Sequence, residues 1–205
     1  MWRDVEDTLR RVDHAVRFEL RPPDRRRDVY DYIQARDPSY FTTVVNNATS
    51  VFRSVFSRDE PIALLVRIWS DKRNKRIRHS AYWLQQVSME SRRSMKIRKR
   101  KGEEGEGWWR EALMTGVPGD FSCRSLSHGI AHADFGNPYA IPGDFYFVSV
   151  ARSVVFHMYD DRGLIVAASS PDSIPEWPPE LKSIVKEEMA GWEPFWTYPI
   201  AGGLG

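Results

Sequence analysis

DFYFVSVARSVVFHMYDDRGLIVAA, residues 144–168, decides the fold. Phe145–Val150 and Ser153–Tyr159 are dense in Val, Phe and Tyr, types that fit a pleated, half-buried surface. Only Ala151 and Arg152 separate them, a spacing that suits a tight antiparallel hairpin. Asp160-Asp161-Arg162-Gly163 then breaks the pattern. Asp favours a turn start because its carboxylate accepts nearby backbone N–H bonds, and Gly tolerates positive φ at a turn's end. Leu164–Ala168 resumes the apolar run, so the stretch predicts a three-strand meander.

A meander needs something to cover it. Asp37-Pro38-Ser39 starts a helix: Asp is a favoured N-cap, and Pro in the first turn lacks only an amide that would be unpaired there. From Tyr40 to Phe56, apolar residues fall at helical spacing for more than four turns, which predicts a long amphipathic helix lying on the sheet. Ile62–Trp69 is a nearly continuous apolar run suited to a central strand. Ala15–Leu20 alternates Val16, Phe18 and Leu20 with polar positions and reads as a half-buried strand, preceded by a short polar helix with Val5, Leu9 and Val12 on one stripe. Ser122–Ala133 reads as a short helix. Pro178–Ala190 reads as another, with Glu180 early and Lys182 and Lys186 later. Trp108–Met114 reads as a helical turn or two, and His79–Glu90 fits strand or helix equally well.

At 205 residues the chain is long enough for one good core, and 41% hydrophobic with 13% aromatic residues excludes a disordered chain. Together these features predict one α+β domain over residues 1–205, with an antiparallel-dominated sheet and the long helix packed on one face. The single cysteine, Cys123, excludes an internal disulfide and a thiolate-rich metal site. With no apolar leader and no membrane-spanning run, the expected location is the cytoplasm.

The net charge of +2 hides an asymmetry. Arg67 to Lys101 holds 13 Lys or Arg against Asp71 and Glu90, which leaves 17 of the 30 basic and 26 of the 28 acidic residues elsewhere. A basic segment is therefore set into an acidic body. Residues 70–107 read as a basic, flexible insertion, since Ser91–Gly107 has almost no apolar content. Arg73, Arg76, Arg78, Arg92, Arg93, Arg98 and Arg100 are its candidate binding residues, with Arg162 at the meander turn. Tyr82 and Trp83 nearby supply the aromatic surface that stacks on bases or packs in interfaces.

Catalytic candidates are few. His157, Asp160 and Asp161 would form a hydrolase-like centre if they converged at a strand end, but neighbouring strand residues point to opposite faces. The competing reading makes His157 a hydrogen-bonded core residue and Asp160 a turn acceptor. His128 and His132 would share a helical face, as two metal ligands need, but the Glu of a zincin motif is missing, and no metal or cofactor is assigned. Cys123 has no activating group beside it in sequence and reads as a small buried residue.

Asp134-Phe135-Gly136, Phe145–Val148 and Phe156–Leu164, with Ala15–Leu20 early in the chain, resemble a bacterial family of uncharacterised proteins designated domain of unknown function 3885. The resemblance spans most of residues 15–170 and implies a small α+β domain without an established activity. This chain departs from the pattern at Ile165, where the family usually has Asp. Related small domains accompany toxin genes, so the resemblance implies an immunity-type role as one possibility. The function expected is a non-enzymatic protein-interaction module whose partner presents an acidic surface. Nucleic-acid binding through residues 70–107 is the first alternative, and the hydrolase-like centre is the second.

Overall fold

The computed structural model describes residues 1–23, 38–72, 77, 81–102, 107–135 and 137–191. Among these residues eight strands form one sheet: β1 (His14–Glu19), β2 (Ile62–Ser70), β3 (Lys96–Lys101), β4 (Trp108–Gly116), β5 (Asp144–Ser149), β6 (Val154–Met158), β7 (Gly163–Ala168) and β8 (Val185–Ala190). Their order is β3-β4-β2-β5-β6-β7-β1-β8, and every neighbouring pair is antiparallel. The helices are α1 (Trp2–Arg11), α2 (Pro38–Val55), α3 (Tyr82–Gln85), α4 (Met89–Arg93), α5 (Cys123–Ala131) and α6 (Pro179–Lys182). The α+β architecture and its antiparallel sheet match the sequence reading.

The strand period of two sorts side chains onto two faces. Val16, Val166, Phe156, Phe147, Leu64 and Met114 pair in register across six strands and lie on the first face, all buried. There α2 and α5 cover them. Phe52 of α2 meets Phe147 at 4.9 Å and Phe156 at 5.4 Å, both edge-on, the arrangement that ring quadrupoles favour. The second face carries Ala63, Leu65, Val148, Val155, Ile165 and Ala167, covered by Val5 and Leu9 of α1 and Val12 just after it. The sheet centre is covered on both sides, which is why its strands read as unbroken apolar runs.

Four expectations give way. The stretch expected to be mobile contains β3, paired with β4 from Lys96↔Leu113 to Lys101↔Trp108. Residues 108–114 are strand, not helix: Trp-Trp-Arg-Glu-Ala-Leu-Met is too short for its period to decide, and pairing with β2 does. The C-terminal helix is limited to α6, after which Val185–Ala190 adds to β1 as an edge strand. His79–Glu90, which fitted strand or helix equally well, is decided for helix within its described part, residues 81–90, which hold α3 and the start of α4. The meander's first turn is also wider than expected: it runs over Val150–Ser153, and Ser153 takes a positive φ of 52°.

Candidate functional site

Beyond α1, the second sheet face continues toward β3 with charged and aromatic side chains in place of apolar ones. One register row places Arg98, Glu111, Arg67 and Asp144 side by side across β3, β4, β2 and β5. The next row places Arg100, Trp109 and Trp69 together. Glu111 is buried and accepts from Arg67 Nε at 3.1 Å and from Arg98 Nε. Glu6, on α1, accepts from Arg98 and, at 2.6 Å, from Arg100. The Arg98 guanidinium lies 3.9 Å from the Trp2 ring centre and that of Arg67 4.7 Å from Trp109, close enough for cation–π attraction.

This arrangement explains how so basic a segment forms a strand. Arg98 and Arg100 turn inward onto carboxylates supplied by β4 and α1, and a buried carboxylate requires such partners. Burial alone would raise the Glu6 carboxyl, but the hydrogen bonds and charge of Arg98 and Arg100 outweigh it and hold it below its ordinary range. The alternate positions Ile97, Lys99 and Lys101 are exposed, as is Lys96 at the strand start. β3 is also the end strand of the sheet, so among the described residues one of its edges has no strand partner. Trp69 is 51% exposed at the same rim, with its indole against the backbone of Gly107, where φ is +68° and a Cβ would come within 2.6 Å of the ring nitrogen. Only glycine fits this left-handed, close-packed position.

The remaining candidates separate from one another. Arg92 is half-buried and donates from Nε to Val87 O at 2.8 Å, whereas Arg93 is exposed. Arg162 is exposed and folds back onto Asp160. Arg73, Arg76 and Arg78 lie outside the described residues.

His157, Asp160 and Asp161 do not converge. His157 is buried on the α1 side, stacked on Tyr146 at 4.3 Å, and its Nδ1 donates to Phe145 O at 3.0 Å. Burial lowers its pKa despite that bond, so the ring is neutral with its second nitrogen an acceptor. Ile165 is its direct cross-strand partner on β7, so an acid at that position would sit beside the imidazole. Asp160 accepts from the backbone N–H of Arg162 at 2.7 Å and of Gly163 at 3.2 Å, the turn role that Asp favours. Asp161 points the other way and accepts from the Tyr40 hydroxyl of α2. Burial raises the Asp161 carboxyl, although the Tyr40 bond opposes it.

Cys123 is buried with its sulfur 3.7 Å from Ser127 Oγ, and burial pushes the thiol up to about 12, so it is no activated nucleophile. Among the described residues no group of three or more His, Cys, Asp and Glu is placed to hold a metal ion, and no helix is long and apolar enough to cross a membrane.

Sequence reading named Arg98 and Arg100 but missed Glu6, Glu111, Trp2 and Trp109. Glu111 had one visible signal, a lone acid inside the otherwise apolar stretch that follows Arg110. Among comparisons with known proteins, a family profile described as a domain of unknown function, number 3885, matches residues 5–177. No curated protein and no solved structure matches the chain.

Proposed function

We propose, for a chain that belongs to the domain of unknown function 3885 family and inherits no activity from it, a role as a non-enzymatic protein-interaction module. The contact surface is the β3 rim, and the partner is an acidic protein segment. One observation carries the reading: a terminal strand, with one edge unpaired among the described residues, presents Lys99 and Lys101 to solvent beside the exposed Ile97, while Lys96 and the exposed Trp69 lie on the sheet's other face. Exposed cations next to apolar and aromatic surface favour a partner that brings both carboxylates and apolar side chains. An extended segment could add to the open edge, with backbone bonds giving affinity and alternate side chains giving selectivity. The inward-turned Arg98 and Arg100 are already neutralised by Glu6 and Glu111, which leaves fewer cations for a phosphate backbone than the composition suggests. The setting that fits is the bacterial cytoplasm, and an immunity-type role, with a toxin as the acidic partner, is one form of this function.

Fluorescence anisotropy tests the reading. The probes are a labelled peptide alternating Glu with Val and a labelled single-stranded oligonucleotide. The peptide is expected to bind, and the triple substitution Lys96→Gln, Lys99→Gln, Lys101→Gln to weaken it tenfold or more without changing the melting temperature. Binding of the oligonucleotide alone, with log K falling linearly against log salt, would replace this reading with nucleic-acid recognition through the same rim.

A further inference from the structure

A second feature, independent of the β3 rim, lies on the opposite face. A groove of about 530 Å³ runs between α2 and α5 and is closed at one side by Tyr82 and Tyr139. Its volume falls in the range of small-molecule sites. Arg124, His128 and His132 follow one another at four-residue intervals along α5, so all three project on the groove side of that helix. Phe41 of α2 supplies an apolar wall and stacks on His132 with ring centres 3.8 Å apart. Tyr139 is 53% exposed and packs on Tyr82 at 5.3 Å.

Two observations concern what the groove would hold. The described lining contains no carboxylate, and Arg124 makes its side-chain hydrogen bond to the neutral Asn46 amide at 2.7 Å, so its charge is uncompensated there. The two imidazole rings lie 4.4 Å apart on the groove wall. Uncompensated donors along one side and aromatic faces on the other are complementary to an anion joined to a flat ring. They are poorly suited to a cation, because the guanidinium shares the stripe.

We propose that the α2–α5 groove binds a small aromatic anion, its carboxylate or phosphate group held by Arg124, His128 and His132 and its ring resting against Phe41 and Tyr139. Burial lowers the pKa values of both imidazoles, aided at His128 by the Arg124 charge and at His132 by repulsion from a protonated His128; His132 falls to about 4, and both rings are neutral at pH 7. Among the described residues, the other groups facing them are Arg124 on the same helix and the phenols of Tyr82 and Tyr139, and α2 contributes no charged side chain to the lining. Anion binding therefore tightens as pH falls below the ordinary histidine value, because a bound anion favours the imidazolium.

The test follows the imidazole ring-proton signals by NMR while benzoate, phenyl phosphate, benzylamine or benzyl alcohol is added at millimolar concentration to the full chain. Benzoate and phenyl phosphate are expected to shift the His128 and His132 signals, and their relative affinity identifies the anionic group. Arg124 is exposed, so Arg124→Gln should keep the fold while weakening both anions tenfold or more. His128→Gln should keep binding at pH 7.5 but flatten its rise toward pH 5.5. Equal shifts with benzyl alcohol would reduce the groove to an apolar cleft. Shifts produced by Zn²⁺ and by neither anion would make the histidines a metal half-site. Either result overturns the proposal.

Discussion

The sheet's centre and its β3–β4 rim are one hydrogen-bonded surface held by different forces. Across the centre, Val16, Val166, Phe156, Phe147 and Leu64 fill register positions with apolar volume, and helices cover both faces. At the rim, Arg98, Glu111 and Arg67 form a charged row on the second face, and the covering contact is Glu6 and Trp2 from the first half of α1. Burial of apolar area makes the centre much less sensitive to salt screening than a set of ion pairs. Charge pairing makes the rim conditional, because part-exposed ion pairs weaken with salt and with protonation. The lesson is that the β3 edge is held by contacts whose strength salt and acid can change without unfolding the domain.

The largest effect that separates the two regions is expected at the centre. Phe156→Ala removes a ring buried against Phe52 and should cost about 3–5 kcal/mol, read as a lower denaturation midpoint for the whole chain. Glu111→Gln should come next, at about 2 kcal/mol, below the range for a fully buried pair because Arg67 and Arg98 keep solvent contact. Amide exchange should then quicken at residues 96–101 and stay slow at 145–148; uniform quickening would show that the rim and the centre open together.

Much of the central region could be read directly from residues. The meander has dense β-formers bounded by Asp160 and Gly163, and α2 carries its period of 3.6 for four turns, so local pattern and tertiary role agree. β3 offers no such pattern. In KIRKRK the inward positions are cations whose partners, Glu111 and Glu6, lie 13 and 92 residues away, and no local period records them. In β8, Lys and Glu at helical spacing imitate a helix, while the strand forms because β1 needs a partner. At the functional rim, composition pointed to the right arginines but not to their direction, which depends on the register with β4.

Smaller effects concern acid and surface charge. The folded-state pKa of Glu6 lies below its unfolded value, so its contribution is present above about pH 4.5 and is lost as pH falls through the folded value. Acid titration should therefore change Trp2 fluorescence before the core melts. Glu6→Gln should remove that early step at a cost of up to about 1 kcal/mol at neutral pH. An unchanged early step would assign it to other carboxylates. Substituting Lys96, Lys99 and Lys101 with Gln should alter stability by less than about 0.5 kcal/mol, confining their effect to binding.

Residue-resolved hydrogen exchange over 96–101, with and without the alternating Glu–Val peptide, tests the central claim most directly. In an antiparallel end strand, alternate amides bond to the neighbour and the others face outward. The account predicts slow exchange at alternate residues of β3 in the free protein, and protection of the remaining ones when the peptide is added. Fast exchange at every residue of 96–101, or an outward set that the peptide leaves unprotected, would contradict it.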